Sequence, residues 1–294
     1  METISLKIRK YLVFSLMIFF TMSCNTDGSG PDRDIFSADN LVAWCIVPFD
    51  ASERSPEERA AMLNDLGFKK MAWDWRMEHI DDLPREIEAL GEYGIELSAI
   101  WLWIDGSARH GLLPHHEQII DYVNDAGLKT TYWVSFSDDF FDFHGDEEKV
   151  NEGVRVLGMV HDRIRQHGCK IALYNHMGWF GEPENQVRII ENLGRDSIGI
   201  VYNFHHAHHQ IDNFAGNLEV MMPWLYTVNI NGMRADGPRI LDVGKGDMER
   251  DMIKTLIASG FDGTVGILGH TEGEDIKIVL ERNLNGLKYL LEEM

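Results

Sequence analysis

From residue 41 to the C-terminus, short apolar runs alternate with stretches whose apolar positions recur at helical spacing. The pattern predicts strands over 41–49, 69–75, 95–104, 129–136, 170–175, 198–203, 226–230 and 263–268. Between and after them it predicts helices over 55–66, 83–93, 115–126, 146–167, 184–193, 211–222, 248–258 and 275–292. Punctuation agrees with this reading. Ser-Pro-Glu-Glu opens the first helix, and Gly94, Gly127, Gly168, Gly194 and Gly260 follow the ends of others. Strict alternation implies parallel strands joined by right-handed crossovers. Eight units without a composition break predict a single α/β domain, a (β/α)8 TIM barrel, over 40–294. An open doubly wound sheet is the alternative, weakened because no Gly-x-Gly-x-x-Gly follows the first strand.

The N-terminus departs from this pattern. Lys7, Arg9 and Lys10 precede a short apolar run, 11–22, that ends in Thr-Met-Ser-Cys. Residues 1–24 read as a secretion signal with a lipobox, in which the Cys24 sulfur takes a lipid; a plain cleaved signal is the alternative. Residues 25–39 read as a flexible polar tether. The expected location is therefore the cell envelope, with membrane contact only through the lipid at Cys24. Cys45 and Cys169 fall in apolar runs and are expected to be buried as free thiols.

The charge changes the picture of partners. A formal net charge of −21 over 294 residues repels nucleic acid and offers no general attraction to phosphate esters. A neutral small molecule suits it better.

In such a barrel the chemistry belongs at the C-terminal ends of the strands. Those ends carry Asp74, Arg76 and His79; Trp101, Trp103 and Asp105; Trp133, Ser135 and Ser137; Tyr174, Asn175 and His176; Asn203, His205, His206, His208 and His209; Asn229 and Asn231; and His270 with Glu272. Side chains two apart on a strand share a face, so Tyr174 with His176, and Asp74 with Arg76, can point together into the mouth. A polar mouth with aromatic walls fits a carbohydrate. Each feature also has a plainer reading: packing for the tryptophans, a rim salt bridge for Asp74 and Arg76, a solvated loop for the histidine run.

These segments resemble the xylose isomerase-like TIM-barrel superfamily, the sugar phosphate isomerase/epimerase group. The resemblance rests on 41–49, 67–76, Leu-Tyr-Asn-His at 173–176, Tyr-Asn-Phe-His-His at 202–206, Gly-Lys-Gly-Asp at 244–247 and Gly-Ile-Leu-Gly-His at 266–270. It implies proton removal alpha to a sugar carbonyl and one divalent metal held by two Glu, an Asp and a His. Carried over, those positions hold Tyr174, Asn203, Asn229 and the neutral stretch at 266–270. Three neutral replacements remove the negative charge a hard ion prefers. Two expectations stay open: a Zn, Co, Ni or Mn class ion held by the imidazoles of His176, His206 and His270, with His205 or His208, or histidine acid–base chemistry without a metal.

On either expectation His206 or His176 is the base, and the other, with His270 and Asn203, stabilises the oxyanion. Asp74, Arg76, Asn229 and Lys245 orient hydroxyls, and Trp103, Trp133 and Tyr174 contact the sugar. The expected reaction is isomerisation or epimerisation of a neutral sugar or keto-sugar, with a keto-glycoside lyase or hydratase step as its equal. A non-catalytic carbohydrate-binding lipoprotein is the rival class. A metal-dependent endonuclease is disfavoured by the charge.

Overall fold

In a computed structural model the eight strands close into one parallel barrel in sequence order, each paired with its neighbours and the last with the first. The structure describes residues 33–142 and 145–294. The units run β1 (Leu41–Trp44), α1 (Pro56–Asp65), β2 (Lys70–Trp73), α2 (Leu83–Glu92), β3 (Glu96–Ile104), α3 (Pro114–Asp125), β4 (Thr131–Phe136) and α4 (Asp146–Ile164). They continue through β5 (Lys170–Tyr174), α5 (Pro183–Leu193), β6 (Ile198–Asn203), α6 (Phe214–Met221), β7 (Leu225–Ile230), α7 (Glu249–Ala258), β8 (Thr264–Leu268) and α8 (Ile276–Glu292). The predicted single α/β barrel is the fold observed.

Local chemistry sets the boundaries. Ser55 caps α1 through a capping box with Glu58, with Pro56 in the first turn. The first strand is shorter than its apolar run predicts. Cys45 adopts a left-handed backbone, φ 57°, which ends extended pairing at Trp44. Residues 46–49 then turn across the barrel mouth. Gly286 in α8 is a place where only glycine fits, because a Cβ there would meet the Val243 carbonyl oxygen at 1.7 Å.

Two apolar layers form. The larger lies between strands and helices, with Ile100, Leu102, Ile171, Leu173, Val228 and Ile267 among its fully buried members. The smaller fills the barrel: Ala72, Ala99 and Ala172 leave room for the rings of Trp44, Trp133 and Tyr174. Trp44 packs edge-on against Trp133 at 4.8 Å, and Trp133 stacks with Tyr174 at 6.1 Å. These rings make a solid floor beneath the C-terminal mouth. Cys45 and Cys169 are free and buried, as expected.

The signal at 1–24, Cys24 and the tether up to residue 32 lie outside the described residues. Residues 33–39, the end of the expected tether, pack on the barrel. A 3-10 turn, Arg33–Phe36, buries Ile35 and Phe36, and Asn40 Nδ2 donates to the carbonyls of Ile35 and Gly263. Among the described residues no helix is long and apolar enough to cross a membrane.

Candidate active site

Above the aromatic floor lies a cavity of about 100 Å³, lined by Trp44, Cys45, Phe49, Asp74, Arg76, Trp101, Tyr174, His176, His205, His206 and His270. It opens past Phe49 and Arg76 onto a polar groove of about 730 Å³ over the loops after β1 and β2. A second groove of about 430 Å³ shares His270 and contains Lys245.

The histidine wall is built by backbone pairing at the ends of β5 and β6. Asn175 follows β5 and is buried. Its Oδ1 accepts from the Asn203 backbone N–H at 2.7 Å, and its Nδ2 donates to the Asn203 carbonyl at 3.2 Å. Asn203 in turn accepts the His205 N–H on its own Oδ1 at 3.1 Å, which starts the 3-10 turn Phe204–His206. On the β5 side, the His176 N–H donates to the Tyr174 carbonyl at 2.7 Å, and Met177 and Gly178 continue with positive φ, 53° and 61°. The two asparagines thus clamp the strand ends and place the His176 and His206 rings 4.5 Å apart.

His205 packs on His206 at 4.3 Å and on His270 at 5.4 Å, and its Nδ1 points to the Arg239 carbonyl at 3.4 Å. His270 lies over Phe49 at 3.8 Å. Trp103 presents its edge to His176 at 5.0 Å. Neither His176 Nδ1 nor His206 Nδ1 has a hydrogen-bond partner among the described residues. Exposed Asp138 approaches His176 Nδ1 to 3.8 Å, beyond hydrogen-bond reach.

Burial disfavours the charged imidazolium, so His176 and His270 are held below the usual histidine range. The same cause takes His205 down to about 4 and His206 well below its ordinary value, with neighbouring imidazoles adding to it. The wall is therefore neutral, in its basic form, near pH 7.

Opposite stands Asp74, at the end of β2 and 2% exposed. Its Oδ1 accepts the N–H groups of Ile46 and Val47, both at 3.2 Å, while Oδ2 has no partner among the described residues. Burial raises its carboxyl to about 6 against the opposing pull of those amides and of Arg76. Arg76 is exposed at the rim. Its Nη1 donates to the Trp75 carbonyl at 2.8 Å, its guanidinium lies over Phe49 and Trp101, and no ion pair within 4 Å joins it to Asp74.

The remaining candidates sort by position. Tyr174 lies at the cavity base, with its hydroxyl bonded by Trp44 Nε1 and Asn203 Nδ2. Asn203 is fully buried and committed to Tyr174, Asn175 and His205, so it supports the wall and faces no open space. Trp133 is part of the floor, 2% exposed, and lines no cavity surface. Asn229 lies inside the barrel against Gly266, where a Cβ would meet its Oδ1 at 1.8 Å, and its amide is unpartnered. His208 sits between the carbonyls of Arg234 and Arg239, and His209 bonds Glu182 at 2.8 Å; neither lines the cavity.

Cys45 and Phe49 belong to the site although their sequence context does not single them out, and Asn175, one of the strand-end residues, acts as its clamp. Phe49 reads as the end of a strand, and only the left-handed turn at Cys45 brings it over the mouth. Trp44 and Trp101 line the cavity, and Trp103 and Trp133 do not. Alternation on β3 sets Ala99, Trp101 and Trp103 on one face, so the sequence signal does not separate the two tryptophans.

The residues present do not fit the metal that the resemblance implies. Tyr174 and Asn203 satisfy each other, Asn229 lies below the cavity lining, and among the described residues no three His, Cys, Asp or Glu side chains are grouped to hold an ion. His270 is drawn onto Phe49 and separated from His206 by His205.

No family model matches the chain, and no curated protein does. Solved structures do. The 3-keto-D-glucoside 4-epimerase YcjR from E. coli superposes with a TM-score of 0.65 at 17% identity, over 86% of this chain and 99% of that one. The probable 3-DHS dehydratase AsbF from Bacillus anthracis, involved in petrobactin synthesis, gives 0.63 at 14%, over 85% and 98%. A xylose isomerase domain containing protein from Salmonella typhimurium LT2 gives 0.64 at 14%, over 87% and 98%. At these identities the likeness is one of fold. The chain has the (β/α)8 architecture of these xylose isomerase-like barrels across nearly their whole length.

Proposed function

We propose that this chain is an enzyme that removes the proton alpha to the carbonyl of a neutral sugar or keto-sugar, as an isomerase or epimerase does. The observation that carries this reading is the adjacent pair His176 and His206, both lining the cavity, neutral by burial, and each with an Nδ1 that has no hydrogen-bond partner among the described residues. A neutral imidazole with a free nitrogen is ready to accept a proton, and a positioned base is worth roughly 10²–10⁴-fold in rate. Arg76 at the rim offers donors to the carbonyl oxygen as negative charge develops on it. Phe49 and Trp101 give apolar faces for the C–H surface of a sugar ring. Fold neighbours named as an epimerase and a dehydratase are consistent with chemistry of this class.

A second reading shares the first step. A keto-glycoside lyase or dehydratase also begins by removing the alpha proton, then expels a group from the next carbon. The wide groove beyond Phe49 and Arg76 favours it, since the cavity itself is small and a leaving group needs space. The N-terminal leader and Cys24 support placement in the cell envelope as a lipid-anchored protein. Incubating the protein in D2O with a panel of free and glycosidic keto-sugars tests the reading. NMR is expected to show deuterium entering at the alpha carbon of at least one, whereas a panel without exchange contradicts it.

A further inference from the structure

The barrel order sets Asp74 and His206 on opposite sides of the barrel mouth. In a closed ring of eight strands taken in sequence order, β2 and β6 are four places apart, which is directly across the barrel. Asp74 follows β2, His206 follows β6, and both line the same cavity of about 100 Å³. Asp74 has an evident structural task, since Oδ1 takes the Ile46 and Val47 amides and holds the turn after β1. That task uses one oxygen. It leaves Oδ2 buried and without a donor among the described residues, in the electrostatic field shared by Cys45, Arg76 and Tyr174, the charged or titratable groups coupled to Asp74. A buried carboxylate oxygen without a partner is costly unless something else meets it.

We propose that Asp74 is the second catalytic proton carrier of this site, opposed to His206 across the substrate, and that the reaction therefore inverts the carbon it deprotonates. The inference rests on the proton-abstraction reading above and adds to it a residue and a stereochemical course. The steps balance without an oxidant or reductant. The alpha C–H bond breaks, its proton passes to an imidazole nitrogen of the His176–His206 wall, and its electron pair passes into the enolate. The carboxyl of Asp74 then gives its proton to the other face of that carbon, leaving a carboxylate and an imidazolium. Exchange with solvent resets the pair. With Oδ1 occupied as a double acceptor, the carboxyl proton belongs on Oδ2, the oxygen without a hydrogen-bond partner among the described residues of this cavity-lining side chain. Because Asp74 with its proton and His206 without one carry the same total as the reverse arrangement, one pH optimum serves both directions.

A ratio measured within one sample tests this. D-Fructose and a methyl 3-keto-glucoside are incubated in D2O with the wild type and with Asp74→Asn. NMR follows two events at the alpha carbon: deuterium entry with retained configuration, and conversion to the inverted epimer. The wild type is expected to show both. Asp74→Asn is expected to lose inversion by at least about 100-fold, the lower end of what a general acid contributes, while exchange with retention persists. The ratio does not depend on the folded fraction, so a poorly folding variant still gives an answer. An unchanged ratio in Asp74→Asn overturns the role of Asp74 while leaving proton abstraction by histidine intact. Absence of exchange in the wild type with both probes contradicts the proton-abstraction reading itself, and this inference with it.

Discussion

The rings of His176 and His206 lie 4.5 Å apart because Asn175 bonds the backbone of Asn203 in both directions, at 2.7 and 3.2 Å. A backbone clamp between two strand ends thus sets the spacing of two side chains that share no hydrogen bond. Asn175→Ala removes both bonds and leaves the Asn203 N–H and carbonyl buried without them. It is expected to lower turnover without removing any group that touches substrate.

Asp74 and the histidine wall pull stability in opposite directions with pH. The Asp74 carboxyl is raised from 3.8 to about 6 in the folded chain, so the native state binds the extra proton between those values and stability falls as pH rises through them. The lowered histidines act the other way: their contribution is present above about 6.5 and is lost as pH falls toward their folded values. Asp74→Asn removes the first effect alone. Urea unfolding is expected to show the variant gaining on the wild type by up to about 3 kcal/mol between pH 3.5 and pH 8, from 1.36 kcal/mol per pKa unit. A difference that is flat with pH contradicts the raised carboxyl.

Much of this was legible in the chain. All eight strands and eight helices follow from apolar periodicity and from helix-ending glycines. His176, His206, His270, Asp74 and Arg76 follow from one rule, that chemistry gathers at the C-terminal strand ends. Where a strand-end residue does not border the cavity, the reason is a shared physical one. Trp133 and Trp101 both sit at such ends, and burial separates them: Trp133 is covered by Trp44 and Tyr174, while Trp101 borders open space. Asn203 reads as a substrate ligand until its bonds to Tyr174 and the backbone of His205 are seen. Partner choice among buried polar groups depends on three-dimensional neighbours, which periodicity does not encode. Phe49 needed the left-handed turn at Cys45, a backbone choice unusual for cysteine.

Metal dependence separates this site from the ligand set its resemblance implies. Prolonged dialysis against EDTA is expected to leave alpha-proton exchange unchanged, and inductively coupled plasma mass spectrometry of the purified protein to find less than stoichiometric metal. Loss of exchange on chelation, restored by Zn, Co, Ni or Mn, sinks the metal-free account.

Substrate charge follows from how the cations are used. Of the four arginines lining the wide groove, Arg54 pairs with Asp50 and Asp275, Arg59 with Glu86, and Arg85 with Glu57. Among the described residues Arg76 alone of the four has no ion-pair partner within 4 Å, and the whole chain carries −21. A phosphate ester finds little compensation there. Paired assays are expected to give higher kcat/KM for an unphosphorylated keto-sugar than for its phosphate, and the reverse order refutes this.

The proposed lipid attachment is motivated by Cys24 and the leader before it. In a bacterial host, Cys24→Ala is expected to release the protein from membranes and abolish incorporation of labelled palmitate. Labelling that survives the substitution rules out Cys24 as the anchor.

Proton abstraction by the histidine wall is the centre of the account, and alpha-carbon exchange measures it directly. In D2O, with whichever keto-sugar the wild type labels fastest, His206→Ala and His176→Ala are compared with His209→Ala. His209 bonds Glu182 and lies off the cavity, so its variant should exchange close to the wild-type rate. The account predicts that at least one wall variant loses roughly 10²–10⁴-fold in exchange rate, the contribution of a positioned base. Native exchange in both wall variants contradicts it and places the base elsewhere; a wild type that binds sugars yet exchanges none supports a carbohydrate-binding protein instead.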